Sequence, residues 1–259
     1  AIVPPPAIDM PVVMGGGGHR NAVPYYDLPN AQVVNQAVAA TPLRVSTLRA
    51  LGAHLNVFAI ESFMDELAAL AGVDPVEFRL RHLKDTRARA VIEAAAAKAN
   101  WQPQSRGDGA RGCGIAFGRY KNIGNYAAVV ARVRIDEAVH VEHVVAAVDC
   151  GRIINPDGVI NQAEGGIVQA ISWTLKEQLR FDRTRITSRD WESYPILTFP
   201  EVPAIEIHLI DRPEEKPLGA GEIAAGPIPA AVANALYHAL GVRLRDMPLT
   251  REKIAAALV

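Results

Sequence analysis

The sequence predicts an α+β fold, because its hydrophobic periodicity changes along the chain. Apolar residues recur at helical spacing over 56–100, whereas apolar and polar residues alternate over 113–148 as they do in strands. A last apolar segment, 228–240, returns to helical spacing. We therefore expect a loop-rich entry with three helices over 1–101 and a mixed block of strands and helices over 112–259.

The first block contains three predicted helices, and residues 1–55 before them are irregular. The helices are predicted over 56–71, 75–84 and 86–100. Gly72 ends the first helix. Asp74 and Pro75 have the residue types of an N-cap and a first helical position, so the second helix starts there. The third helix is rich in alanine.

Four consecutive glycines, 15–18, precede these helices. A glycine run can bind phosphate when a helix N-terminus or a lysine follows it. Here Pro24 and Pro29 follow instead, which favours a flexible loop.

The second block mixes strands and helices after a polar linker, 102–112. Strands are predicted over 113–120, 126–135, 139–148, 178–182 and 203–210. Asp136 and Glu137 join the second and third strands as a hairpin. Helices are predicted over 158–176 and 228–240, with Asp157 as the cap of the first and Gly241 as the end of the second.

Composition limits the functional classes. Hydrophobic residues make up 49% of the 259 residues and charged residues 21%, which is typical of a globular protein with a sizeable core. The formal net charge of −1 gives no electrostatic reason to expect a nucleic acid partner. No run of about 18 apolar residues is present, so we expect no membrane span. The chain begins at Ala1, and we expect it to be processed or a piece of something longer.

Cysteine and histidine positions show no metal-site pattern. Neither Cys113 nor Cys150 belongs to a CxxC pair of the kind that holds an iron–sulfur cluster or structural zinc. His140 and His143 are three residues apart in a predicted strand, so they point to opposite faces. We expect no metal ion to be held by side chains of this chain.

A single carboxylate, Glu222, stands on a glycine-flanked loop ahead of the helix predicted from residue 228. Glycine allows backbone angles and close approaches that a side chain would block. The N-terminus of a helix favours a nearby ionised carboxylate. A fixed, ionised acid with room for a bulky group beside it meets the requirements of a general base. The alternative, from these residues alone, is a surface turn whose glutamate is simply solvated.

Several motifs in a fixed order carry a resemblance to a known family. Residues 148–157 read VDCGRIINPD, 161–169 read NQAEGGIVQ, and 219–222 read GAGE. RALG at 49–52, NVFAIESF at 56–63 and GVRLRDMP at 241–248 also fit. Together they resemble the C-terminal part of the molybdenum-binding subunit of the xanthine dehydrogenase and aldehyde oxidase family, nearest to its isoquinoline 1-oxidoreductase and nicotinate dehydrogenase branch. The resemblance covers nearly the whole chain from about residue 24.

The resemblance implies a hydroxylase with a molybdenum–molybdopterin cofactor in the cytosine dinucleotide form. Members of the family hydroxylate an electron-poor carbon of a heteroaromatic ring or an aldehyde with oxygen from water, and a glutamate acts as general base. Glu222 matches that base. Gly219, Ala220, Gly221 and Ala50 match positions at the cofactor. Because the cofactor holds the metal, the lack of a His or Cys cluster is no objection.

Arg49 has two interpretations. The resemblance implies an arginine over the substrate that stabilises negative charge, and the alternative is a loop arginine bound to carbonyl groups. Ala50 stands where the copper-dependent carbon monoxide branch has a cysteine, which argues against that chemistry. Three polar residues are interpreted as turn and cap residues: Asp149, Asn155 and Gln162. Four aromatic residues are candidates for a ring-binding pocket or for the core: Phe117, Tyr120, Tyr126 and Trp173.

The resemblance also implies partners. The GGGFG and MGQG loops that grip the pterin in this family are absent from the sequence, so we expect half an active site, completed by the N-terminal portion of the molybdenum subunit. No cluster, haem or dinucleotide motif is present. Electrons are therefore expected to leave through a subunit with two [2Fe–2S] clusters, with a cytochrome as a further candidate partner.

Two functional classes remain open at this point. The first is the C-terminal portion of a molybdenum hydroxylase subunit that acts on a small molecule: a purine, an N-heterocycle or an aldehyde. The second is a non-catalytic domain of the same fold that serves assembly or electron-transfer docking. Glu222 favours the enzyme, because a structural domain has no physical reason to keep a carboxylate on such a loop.

Overall fold

The computed structural model describes residues 16–36, 38, 41–43, 48–102 and 107–258. Its helices are α1 (Ala53–Ala71), α2 (Pro75–Arg81), α3 (Thr86–Lys98), α4 (Pro156–Leu175), α5 (Ile228–Leu240) and α6 (Arg251–Leu258). Its strands are β1 (Arg111–Arg119), β2 (Tyr126–Ile135), β3 (Val139–Asp149) and β4 (Ala204–Leu209). The predicted α+β class is confirmed.

The four strands form one mixed sheet in the order β1-β2-β3-β4. β1, β2 and β3 are antiparallel neighbours, whereas β4 lies parallel to β3 and is reached through α4. The strand predicted over 178–182 is wrong: within that stretch Phe181 forms an isolated bridge with Ile186. One bridged pair of residues is too short to count as a strand, and it lies outside the main sheet.

Both faces of the sheet are buried. On β2, Val129, Ala131 and Val133 belong to the core that includes α1, α4 and α5, while Ala128 and Val130 belong to the core that includes α3. Alternate residues of one strand thus enter two different cores. The predicted block of three helices shares both cores with the strands of the second block.

Glycine lets α5 lie directly on β1. A Cβ atom on Gly114 would stand 2.3 Å from Ala235 N and 2.4 Å from the Ala231 carbonyl oxygen. Real Cβ atoms do not approach backbone so closely. The start of α5, and with it the loop before it, is therefore held at a short distance from β1.

A buried ionic network joins α1, α2 and α5. Glu61 on α1 accepts a hydrogen bond from Nε of Arg79 at 2.8 Å, and both side chains are almost fully buried. Arg243, after α5, donates to Asp65 on α1 at 2.5 Å and to Asn234 on α5 at 2.8 Å. These bonds hold the helices that flank the candidate site in one arrangement.

Helix ends largely follow local sequence signals. Gly72 ends α1 in the left-handed conformation, and Asp74 caps α2 as predicted. For α4 the cap is Asn155, whose side chain accepts from the Gly158 N–H at 3.0 Å, so the prediction of Asp157 is wrong. Pro156 occupies the first helical position, which places the cap one residue before it. Among the described helices, none has both the length and the apolar composition to cross a membrane.

Candidate active site

Three hydrogen bonds fix the path of the loop that carries Glu222. They run from Leu218 N to the Cys150 carbonyl (2.7 Å), from the Asn125 amide to the Gly219 carbonyl, and from Arg49 Nε to the Gly221 carbonyl (2.7 Å). The three partners follow β3, precede β2 and precede α1. The loop is therefore positioned by residues that lie far from it in the sequence.

Both carboxylate oxygens of Glu222 accept a hydrogen bond. Oε1 accepts from the backbone N–H of Ala50 at 2.7 Å, and Oε2 accepts from the hydroxyl of Tyr120. The same hydroxyl accepts from Nη1 of Arg20. Burial, together with the adjacent Glu222 carboxylate, raises the pKa of Tyr120 above its usual value. The hydroxyl therefore stays protonated and remains a donor.

Backbone strain is concentrated around Glu222. Of seven described non-glycine residues with positive φ, six lie within two residues of Arg20, Ala50, Tyr120 or Glu222. The six are Asn21, Ala50, Leu51, Lys121, Asn122 and Ala224. Such conformations cost roughly 1–3 kcal/mol each and cluster at functional sites. The positive φ angles do not depend on the GAGE motif, and they occur around the same carboxylate, that of Glu222.

Arg49 is bound to carbonyl groups. Its Nε donates to the Gly221 carbonyl, and its Nη2 donates to the carbonyl of Gln162 at 2.8 Å and to Gln162 Oε1 at 3.1 Å. Three of the five guanidinium N–H groups are used in these bonds. Burial lowers the pKa of Arg49, and the nearby Glu222 carboxylate opposes that effect. Arg49 thus connects the loop that carries Glu222 to α4, as the loop-arginine interpretation expects.

The three polar residues interpreted as turn and cap residues have different roles. Asn155 is a cap, as expected. Asp149 is fully buried and accepts from the guanidinium groups of Arg87 and Arg212. Gln162 lies inside α4 and binds the arginine just described, so the cap interpretation is wrong for it. Sequence reasoning missed its contact because the two residues are 113 positions apart.

The loop presents bare backbone beside Glu222. A Cβ atom on Gly219 would meet no described atom within 4 Å, and one on Gly221 would meet Gln162 Oε1 at 3.9 Å. Within this chain, a side chain at either position would find space. A large group that approaches the loop would need that space to stay free. Ala50, also expected at the cofactor, is fully buried, and its N–H is bound to Glu222.

A small pocket lies beside Glu222, with a cavity volume of about 10 Å³, which is room for about one water molecule. Of the four aromatic candidates, Tyr120 lines this pocket. Phe117 and Tyr126 are each 2% exposed and belong to the core on the α3 side of the sheet. Trp173 packs edge-to-face on His54, with ring centroids 5.1 Å apart. Tyr120 is thus the one aromatic candidate that meets the carboxylate.

The cysteines and histidines are engaged in other contacts. Burial raises the pKa of Cys113 to about 11 and also raises that of Cys150, so both thiols are protonated at neutral pH. His140 contacts Asp136 at 3.1 Å, and His143 binds a carboxylate on β4 at 2.8 Å. Within the described part of the chain, no three His, Cys, Asp or Glu residues are grouped to hold a metal ion.

His54, on α1 close to Ala225, gives the stability a pH dependence. Burial lowers its pKa to about 4, whereas an unfolded histidine titrates near 6.5. Between these values the unfolded chain binds the extra proton, so stability falls as the pH decreases from about 6.5 to 4. We expect His54 to contribute up to ~1.4 kcal/mol per pH unit across this window.

Urea denaturation at several pH values between 4 and 7.5 measures this effect. His54→Phe keeps a ring against Trp173 and should reduce the fall in stability below pH 6.5. Parallel curves for His54→Phe and the parent would contradict the assignment.

Comparisons with known proteins identify the family of the chain. Residues 54–203, more than half of the chain, match a molybdopterin cofactor-binding domain family, and residues 8–83 match a second family of the same description. A nicotinate dehydrogenase subunit of Pseudomonas putida is 43% identical over 258 residues, which cover 93% of this chain and 22% of that protein. The beta subunit of isoquinoline 1-oxidoreductase of Brevundimonas diminuta is 32% identical, with coverages of 86% and 29%. The chain therefore spans less than a third of either relative.

Solved structures share the fold. Quinoline 2-oxidoreductase from Pseudomonas putida 86 superposes with a TM-score of 0.72 at 17% identity, covering 81% of this chain and 52% of that one. Aldehyde oxidoreductase from Desulfovibrio gigas gives a TM-score of 0.68 at 16% identity, covering 86% and 42%. At these identities the likeness establishes the architecture and nothing finer.

Proposed function

This chain belongs to the molybdopterin cofactor-binding proteins of the xanthine dehydrogenase and aldehyde oxidase family, and from that premise we propose that it carries the general base of a molybdenum hydroxylase. The proposed base is Glu222. One observation carries the proposal: the carboxylate is held by the Ala50 N–H and the Tyr120 hydroxyl, on a strained loop beside a pocket. A non-catalytic docking domain would have no use for this arrangement.

The loop residues fit a molybdopterin group. Gly219, Ala220 and Gly221 offer exposed or half-exposed backbone that a planar, polar cofactor can approach without meeting a side chain. Backbone N–H and C=O groups can donate to and accept from the polar edge of a pterin. We propose these three residues as cofactor contacts, with the cytosine dinucleotide form taken from the family resemblance. When bound, the cofactor supplies the two-electron redox chemistry of hydroxylation.

In this proposal Glu222 accepts a proton on a carboxylate oxygen as oxygen derived from water reaches the carbon of the substrate. The N–H of Ala50 fixes one oxygen and Tyr120 the other, so the carboxylate needs no reorientation before it reacts. Arg49 keeps the Gly221 peptide in place. A second role for Arg49, stabilising negative charge that develops on the substrate, rests on the resemblance.

The proposed substrate is a small molecule with an electron-poor carbon, in an N-heteroaromatic ring or an aldehyde. The names of the two relatives, nicotinate dehydrogenase and isoquinoline 1-oxidoreductase, support the heteroaromatic class. The pocket beside Glu222 can contribute one wall of such a site.

The proposed partners complete the site and remove the electrons. Since the relatives are several times longer than this chain, we propose that the N-terminal portion of the molybdenum subunit supplies the remaining pterin contacts. A [2Fe–2S] subunit, with a cytochrome as a further candidate, would receive the electrons.

Native purification through a tag on this chain tests the proposed function. We expect molybdenum in stoichiometric amount, release of cytidine monophosphate from the cofactor, a cysteine-rich partner with iron–sulfur absorption, and oxidation of nicotinate, isoquinoline or benzaldehyde. A purified complex without molybdenum would contradict the proposed molybdopterin cofactor. Turnover by an intact complex that contains no iron would contradict the electron path.

A further inference from the structure

Arg20, Tyr120 and Glu222 form a directed hydrogen-bond chain that the family motif does not include. Arg20 Nη1 donates to the Tyr120 hydroxyl oxygen, and that hydroxyl donates to Glu222 Oε2. The other terminal nitrogen of Arg20, Nη2, donates to the Gly16 carbonyl at 2.6 Å. The chain runs from a buried arginine to the proposed base.

The direction of this chain follows from the chemistry of its donors. A guanidinium group has N–H donors and no acceptor, and a tyrosine hydroxyl has a single proton. Because Arg20 occupies an acceptor position of the hydroxyl, the hydroxyl proton is directed to Glu222. Oε2 of Glu222 is therefore an acceptor in this arrangement, and the Tyr120 hydroxyl is its donor.

The turn that carries Tyr120 is built at a cost in backbone strain. Lys121 and Asn122 both have positive φ (57° and 59°). The side chain of Asn21 holds this turn: it donates to the Arg119 carbonyl at 2.7 Å and to Asn122 Oδ1 at 2.8 Å, and it accepts from the Lys121 N–H at 2.9 Å. A turn strained at two successive residues and clamped by a side chain defines the position of the residue before it.

We propose that Tyr120 is the positioning residue of Glu222, and that Arg20 keeps the Tyr120 hydroxyl in its donor orientation. The inference rests on the proposed function for its catalytic meaning, but the hydrogen-bond chain can be tested without turnover. Other charged groups around the carboxylate are Arg49, Arg119 in the pocket wall, and Lys121, whose Nζ lies 5.5 Å from the Tyr120 ring centre. We expect all three to stay in place in Tyr120→Phe, because the contacts named for them do not use the hydroxyl.

Tyr120→Phe removes the hydroxyl and keeps the ring. The ionised carboxylate of Glu222 then loses a hydrogen bond that the protonated acid does not need, so we expect the midpoint measured for the variant to lie above that of the parent. Tyr126→Phe is the matched control, because the Tyr126 hydroxyl donates to the carboxylate of Asp85 at 2.9 Å, away from the site. It should leave the midpoint of Glu222 unchanged.

The first measurement follows the Glu222 carboxyl carbon by ¹³C NMR in the full chain labelled with [5-¹³C]glutamate. Loss of one resonance in Glu222→Gln identifies the signal, and thermal melting checks that each variant is folded. Incorporation of 3-fluorotyrosine is a second test that deletes no group: its more acidic hydroxyl donates more strongly and should lower the midpoint. An unchanged midpoint in folded Tyr120→Phe, or an unchanged midpoint with fluorotyrosine, overturns the inference.

The second measurement separates this inference from the proposed function. It records the pH profile of kcat/KM for the native complex, with whichever of nicotinate, isoquinoline or benzaldehyde the complex oxidises. If Tyr120→Phe moves both the NMR midpoint and the acid limb of the profile upward, the inference and the base role of Glu222 are both supported. A moved midpoint with an unmoved profile supports the hydrogen-bond chain and rejects Glu222 as the base.

Discussion

Glu222→Gln is expected to lower kcat by at least ~10²-fold in the native complex. Glutamine has the same shape and still accepts from the Ala50 N–H at its amide oxygen, but it has no basic oxygen to receive a proton. The Tyr120 hydroxyl loses its carboxylate acceptor, which changes the local hydrogen bonding. We expect the loss of the base to have the larger effect on kcat. The measurement is steady-state kinetics at matched molybdenum content.

Glu177→Gln is the matched control for this prediction. Glu177 also accepts from a tyrosine hydroxyl, that of Tyr194 at 2.8 Å, but it lies beyond the end of α4, outside the loop of Glu222. The control should keep kcat near that of the parent. Turnover of Glu222→Gln within tenfold of the parent, with normal molybdenum content, would remove Glu222 from the mechanism.

Glu61→Ala is expected to lower the free energy of unfolding by about 3–5 kcal/mol. Glu61 is 1% exposed; its Oε2 accepts from Arg79 at 2.8 Å and from the Phe117 N–H at 2.9 Å, and its Oε1 accepts from Tyr26 at 2.6 Å. Removing the carboxylate leaves the guanidinium of Arg79 buried, with Asp65 as its nearest remaining carboxylate at 3.7 Å. A buried charge that loses its main partner is strongly destabilising.

Urea denaturation of the parent and of Glu61→Ala measures this loss, with Glu77→Ala as control. Glu77 pairs with Arg81 one helical turn away, but both side chains are 55% exposed. Exposed pairs of this kind contribute about 0.3–0.5 kcal/mol. A loss below about 1 kcal/mol for Glu61→Ala would show that Asp65 and the carbonyl groups around Arg79 compensate for the carboxylate.

The candidate base could be found in the sequence because its signal is local. Glycines on both sides of a lone glutamate, a following helix and six ordered motifs all lie within reach of sequence reasoning. The hydrogen bonds of its carboxylate could not be found in this way. Tyr120 and Ala50 are 102 and 172 positions from Glu222, and nothing in their own neighbourhoods predicts that they meet its carboxylate.

The two interpretations of Arg49 differed in what the side chain faces, and sequence carries no information on that. The structure places three of its N–H groups on carbonyl oxygens of Gly221 and Gln162. The strand predicted over 178–182 is wrong for a related reason: strand propensity is local, whereas a strand exists only if a partner is available.

The sequence by itself determined the α+β class, the bounds of β2 and α5 and the family, because hydrophobic periodicity, capping residues and motif order are local properties of the chain. The tertiary structure alone decided which groups surround the Glu222 carboxylate. The turn before α1, the turn between β1 and β2, and the loop before α5 meet there because two cores pack against one sheet. Burial of those cores is what offsets the backbone strain of the six residues around the site.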